Sequence, residues 1–162
     1  MHDKSRVKGW IEVIITDRHG NIKYHIGSTR VRQLSNIITN VGLAALVRLM
    51  GSGLTESKFG YIAIGTGTTP ESETDTALEN EIKRKAATIR QVTTTIDGDT
   101  CLFEAIFSRI DGLTGSHNIS EIGIFNAPTG GILLARRTFL PAPVNWDAEE
   151  QVTARYWIQF TR

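Results

Sequence analysis

Apolar and polar residues alternate with period two over residues 9–17, 101–108 and 151–161, the signature of strands that bury one face. In the first stretch Ile11, Val13 and Ile15 share a side, opposite Trp10, Glu12, Ile14 and Thr16. In the second Phe103, Ala105 and Phe107 align; in the third Val152, Ala154, Tyr156, Ile158 and Phe160 do so. The third is the clearest, and it leaves Trp157 alone among Gln151, Thr153, Arg155, Gln159 and Thr161. Residues 119–125 and 132–139 are two apolar runs around a loop that holds Pro128, Gly130 and Gly131. They predict a β-hairpin apolar enough to belong in the middle of a sheet or inside a sandwich.

The remaining elements follow from turn chemistry and a change of period. Residues 18–21 are a turn, and 22–26 return antiparallel to the first strand. Residues 28–35 are polar and basic, a connection. Over 36–50 the spacing shifts to three and four, with Leu43, Leu46, Val47 and Met50 in one stripe. That predicts a short helix capped by Thr39 or Asn40, closed by Gly51 and Gly53 at positive φ, and docked by its stripe on a sheet. Residues 61–65 are a short strand, and 71–76 a polar loop. Thr76 with Glu79 forms a capping box for a one- or two-turn helix carrying Leu78 and Ile82. Residues 85–97 suit a long strand, turning at Gly98 and Asp99. Residues 111–118 are a loop, and 140–149, with Pro141 and Pro143, an irregular crossover. The sum is a mainly β chain, an antiparallel β-sandwich with one or two short helices. It is a single domain over 1–162, in which residues 1–33 form an N-terminal hairpin and a candidate assembly arm.

Composition narrows the partners. A net charge of +1 gives no push towards nucleic acid or a membrane surface. Cys101 is the only cysteine, which excludes an internal disulfide and a cysteine-rich zinc site. No apolar run is long enough to span a bilayer, and the first residues lack the apolar core of a cleaved signal peptide.

Candidate chemistry is thin. The run Gly65, Thr66, Gly67, Thr68, Thr69 lacks the lysine of a phosphate loop and reads as a structural turn. Glu71, Glu73, Asp75, Glu79 and Glu81 lack the spacing of a calcium loop and read as a solvated loop and cap. His2, His19, His25 and His117 are scattered, and Cys101 has no flanking base. No cofactor, metal or catalytic residue is expected, and the chain is read as no enzyme. Two features ask for a partner. Trp157, with Arg155 on the same polar face, suits an interface centre unless a loop such as that of Trp146 covers it. Arg136 and Arg137 cannot both face solvent on a strand, unless the strand ends there, which is the simpler reading.

The order of motifs carries more than any one of them. Asn36–Leu43 precedes the helix; Tyr61–Thr69 follows; then come Asp75–Glu81 with Arg84, Ile119–Phe125, Thr129–Gly131 with Leu134–Phe139, and a last strand ending Trp157–Phe160. Over roughly residues 34–162 this series resembles a family of small structural proteins of tailed bacteriophages and prophages, of tail, tail-fibre or baseplate type. The resemblance implies a virion component without enzymatic activity, assembled in the host cytoplasm. It implies self-association into trimers or rings and docking on other virion proteins, with Trp157, Arg155, Arg136, Arg137 and Trp146 as candidate interface residues. A head decoration or collar protein is an alternative within that class. A sandwich that binds a receptor or host surface glycan through Trp157 and Trp146 is an alternative outside it, and a hydrolase with a composite carboxylate site is a third.

Overall fold

The computed structural model describes residues 6–27, 34–51 and 56–161, without the side chains of Leu34 and Ser35. His2, Gly53 and most of the connection expected at 28–35 lie outside the described residues. In chain order the elements are β1 (Arg6–Thr16), β2 (Ile22–Ile26), β3 (Leu34–Ser35), β4 (Ile37–Ile38), α1 (Asn40–Met50) and β5 (Tyr61–Gly65). They continue with β6 (Glu81–Ala86), β7 (Thr88–Val92), β8 (Thr100–Phe107), β9 (Ser116–Phe125), β10 (Leu133–Asn145) and β11 (Gln151–Thr161). The strands form two antiparallel sheets. The first has the order β2-β1-β11-β8-β7, with β3 also beside β1; the second has the order β4-β10-β9-β5-β6. The β-sandwich is thus the observed fold.

The alternating positions make the core. Ile11, Val13 and Ile15 of β1, Phe103 and Phe107 of β8 and Tyr156 of β11 pack in one cluster with Ile62 and Ile64 of β5 and Ile122 and Ile124 of β9. The hairpin of β9 and β10 lies inside the second sheet, as its apolar runs require. The N-terminal hairpin, read as a candidate arm, is part of the body: β1 sits between β2 and β11 and pairs with β11 along its whole length. Phe160 departs from its expected face, being 51% exposed near the end of β11.

Strands that change sheets close both sides of the sandwich. β6 lies at the edge of the second sheet and β7 at the edge of the first, with only Ala87 between them. The long strand expected at 85–97 therefore starts earlier, breaks at Ala87 and stops at Val92. On the other side β3 pairs with β1 and β4 with β10, with Asn36 at the crossing. Asn36 donates its backbone N–H to Gly9 O (3.1 Å) and its Nδ2 to the Tyr156 hydroxyl (2.7 Å). Tyr156 is wholly buried, and that burial pushes its phenol pKa up.

Of the crossover expected at 140–149, residues 140–145 are instead the far half of β10, prolines included, and a single 3-10 turn, Trp146–Ala148, leads on to β11. β4 pairs only with Ala135 and Arg136, and the β9 register slips between Thr138 and Ala142. Pro141 falls in the slip and Pro143 opposite Asn118, where the described residues place no strand on the other side of β10. A missing N–H costs no ladder bond there.

Helix α1 is capped by Thr39, whose Oγ1 accepts from Gly42 N (3.0 Å). It ends at Gly51 with φ −88°, not at positive φ. Its docked side also differs from the expected stripe. Thr39 is bound to β10, its N–H donating to Leu134 O (2.9 Å) and its hydroxyl to Leu133 O. This anchor turns Gly42 and Ala45 inward; of the expected stripe only Leu46 packs against the core, while Leu43, Val47 (67% exposed) and Met50 (85%) face outward. A Cβ on Gly42 would stand 2.6 Å from Leu134 O. Gly42→Ala should therefore destabilise by about 1–3 kcal/mol through overpacking, although alanine favours helices. Val47→Asp should stay within about 0.5 kcal/mol of the native protein. Urea unfolding followed by circular dichroism measures both, and the reverse ranking would refute this orientation.

Candidate functional site

The motif residues converge on one buried carboxylate. Glu121, on β9 opposite Gly65 of β5, is fully buried. Its Oε1 accepts from the backbone N–H of Gly67 (3.0 Å) and Asn80 (2.7 Å). Its Oε2 accepts from Glu79 N (3.0 Å) and Arg136 Nε (3.0 Å). Arg136 extends the network, donating through Nη1 to Asp75 (2.9 Å) and through Nη2 to Thr69 O (3.1 Å). The Glu79 carboxylate returns to Thr69 N (2.7 Å) and Oγ1 (2.8 Å), and Ser120 Oγ donates to Gly67 O (2.8 Å). A Cβ on Gly65 or Gly67 would lie 2.5 or 2.6 Å from Glu121 Oε1, so both positions admit only glycine without a shift.

This network replaces the expected helix at 76–82. A local capping box would turn Glu79 back on Thr76. Here Glu79 serves Thr69, while Glu121 takes the N–H groups of Glu79 and Asn80. Leu78 instead lies over the outer side of the second sheet with Ala63, Phe125 and Leu133. The Gly65–Thr69 turn is structural, with the Gly67 N–H already bound by Glu121.

The acidic run is a set of ion pairs and caps. Arg137 Nη1 meets Glu71 (2.7 Å), whose other oxygen accepts from Thr138 N (3.1 Å). Burial pushes the Glu71 pKa up, but the Thr138 bonds and the Arg137 charge outweigh it and hold the group below its ordinary value. Glu81 pairs with Arg84 (2.6 Å), whose guanidinium stands 3.4 Å over the Phe125 ring and donates to Ala127 O and Gly130 O. Among the described residues no three His, Cys, Asp or Glu side chains gather as metal ligands would.

The candidate interface residues divide. Arg136 and Arg137 do not end a strand, because β10 continues to Asn145; both are engaged with acids of the 69–80 loop. Trp146 is fully buried, its Nε1 donating to His117 Nδ1 (2.9 Å), so it covers nothing on the outside. Trp157 and Arg155 do lie on the outer face of the first sheet, both partly exposed. Trp157 is not alone there. Trp10 stands directly opposite in register, the indoles stacked with centroids 6.0 Å apart and planes 9° apart.

Beside the indoles a row of charges crosses the sheet. Arg155 meets Glu12 (2.7 Å) on one side and Glu104 (2.5 Å) on the other. Glu12 continues to His25 (2.9 Å) and Glu104 to Arg90 (3.8 Å). The hydrogen bond to Glu104, chiefly, raises the Arg155 pKa further. Sequence reasoning missed Trp10, Glu12 and Glu104 as members of this face. The alternation put Trp10 and Glu12 on one side of β1, but only the register with β11 sets them against Trp157 and Arg155.

Asp99 fixes the turn before β8. It accepts from the N–H groups of Thr94, Thr95 and Ile96, from Thr100 Oγ1 and from Gln159 Nε2. Desolvation alone would raise its pKa; the bonds from Gln159, Ile96, Thr100 and Thr94 hold it well below the usual carboxylate range. Its stabilisation is therefore whole above the ordinary value of 3.8 and is lost as pH falls through the folded-state value. Asp99→Asn should lower stability at neutral pH and flatten its decline towards about pH 3. Urea midpoints across that range test this, and an unchanged acid slope would count against it.

Fold and site together define an antiparallel β-sandwich whose motif residues bind one another and whose first sheet turns a mixed aromatic and charged face outward. Compared with protein-family models, curated proteins and solved structures, the chain matches none. No described helix is long and apolar enough to cross a membrane.

Proposed function

We propose that the protein is a non-enzymatic structural component of a tailed-phage virion, of tail, baseplate or fibre-adaptor type. It acts in the particle by self-association and by docking on neighbouring virion proteins. The observation that carries this reading is the joint use of the resembling motifs. Gly65–Thr69, Asp75–Glu81, Glu121 and Arg136 lie far apart in sequence yet interlock around one carboxylate. The pattern that resembles the phage family is thus one cooperative framework, and its order has a physical reason. The partly exposed Trp10–Trp157 pair and the outward apolar side of α1 supply surface for contacts. The test is detection of the protein in purified particles, with particle assembly in a strain lacking its gene. Absence from particles that assemble normally without it would overturn the reading.

A glycan- or receptor-binding sandwich is the second reading, favoured by the indole pair on an open sheet face. Binding on a glycan array that Trp157→Ala abolishes, in a protein absent from particles, would put it first.

A further inference from the structure

We infer that the outer face of the first sheet is a two-fold contact between two copies of this chain, with the axis parallel to the strands and midway between β1 and β11. The face is laid out in rows. Trp10, Trp157 and Leu102 form one, Glu12, Arg155 and Glu104 the next, and Ile14, Thr153 and Ile106 the third. Rotation about that axis sets β1 of one copy over β11 of the other, so Glu12 faces Arg155 of the second copy twice, and Trp10 faces Trp157 twice. An axis along the charged row would set Arg155 against Arg155. The charges therefore exclude that second axis. A parallel axis between β11 and β8 would also set Arg155 against Glu104, but it would set Trp157 against Leu102, which is already buried, so the indole row selects the axis between β1 and β11.

Two further observations favour a second copy as the occupant. The central charges are already paired within each chain, Arg155 with Glu12 and Glu104, so covering them leaves none of the three alone. The aromatic and aliphatic positions around them, Trp10, Trp157, Ile14 and Ile106, are partly or well exposed. The overlap is also large enough. The four strands that overlap, β2, β1, β11 and β8, have 5, 11, 11 and 8 residues, and at about 3.3 Å per residue and about 4.8 Å between strands they present about 550 Å² per copy. That lies at the low end of specific interfaces, about 1,100 Å² in total, and fits a weak, reversible association. The contact deepens the structural reading above but is derived from the face alone. It is a two-fold contact, where the resemblance implies trimers or rings.

Sedimentation equilibrium of the purified chain should show a monomer–dimer equilibrium. Across the axis, E12R brings two arginines face to face and R155E brings two glutamates face to face. Each alone should weaken the dimer at least about tenfold. Mixed in equal amounts, the two should form a heterodimer, because both facing pairs become opposite in charge. Thr153→Arg, beside the axis and outside the charged row, should also abolish association with an unchanged circular dichroism spectrum; it carries the test if R155E does not fold. A wild-type monomer at every concentration, a trimer or ring, a dimer indifferent to these changes, or a mixture that stays monomeric would each overturn the proposal. So would a monomer whose Trp157 binds an array oligosaccharide, which would assign the face to a sugar. Failure here leaves the particle test standing, and absence from particles leaves this contact standing.

Discussion

Arg136→Ala is expected to destabilise the protein by about 3–5 kcal/mol, the usual cost of removing one partner from a buried ion pair. Glu121 is fully buried and Arg136 nearly so; Thr69 O also loses its Arg136 donor, and Asp75 keeps only the Ser72 N–H of its two. Replacing both partners with leucine should not rescue the fold, although apolar replacement of a buried pair often does. The reason is the backbone: Gly67, Glu79 and Asn80 would each keep a donor without its acceptor. Denaturant unfolding gives the magnitude. Amide exchange locates it, with the N–H groups of residues 67, 79 and 80 exchanging faster in Arg136→Ala. A loss below about 1 kcal/mol, or a double variant as stable as the native protein, would show that Glu121 does not hold this loop.

Trp146→Ala is expected to cost a similar amount, about 3–5 kcal/mol, for a large side chain with no exposed surface. Trp146→Phe separates the volume from the bond to His117 and should cost less, about 1–3 kcal/mol. Trp157→Ala removes only a half-exposed ring from its stack on Trp10 and should cost about 1 kcal/mol. The contrast tests where the structure has put the two tryptophans. Equal losses at 146 and 157 would contradict it.

Alternation located β1, β8 and β11 and their inward faces, because a strand buried on one side must repeat at two; two apolar runs around a Pro–Gly loop located the β9–β10 hairpin. It could not set one strand against another. Trp157 looked isolated since its stacking partner, Trp10, lies at the other end of the chain. The capping box at Thr76 failed for a related reason. Glu121, about forty residues away, takes the N–H groups that a short helix would have used. The helix stripe was real as a pattern, yet the Thr39 anchor on β10 turned the small residues inward. For Arg136 and Arg137 the simpler reading, a strand end, fails because β10 runs on to Asn145; their partners are Glu121 on β9 and acids of a loop that reads as merely acidic. Glu121 itself was not legible in the sequence: it sits in an apolar run that reads as core, and only the fold brings Gly67, Glu79, Asn80 and Arg136 to it.

The strands that pass from one sheet to the other have a mechanical consequence. Sliding the two layers past each other cannot leave 81–92 intact, because one continuous segment is hydrogen-bonded to β5 in one layer and to β8 in the other. The opposite flank is stitched in the same way at Asn36. Shear between the layers would have to break hydrogen bonds at both seams, a resistance that two sheets joined only by loops do not have.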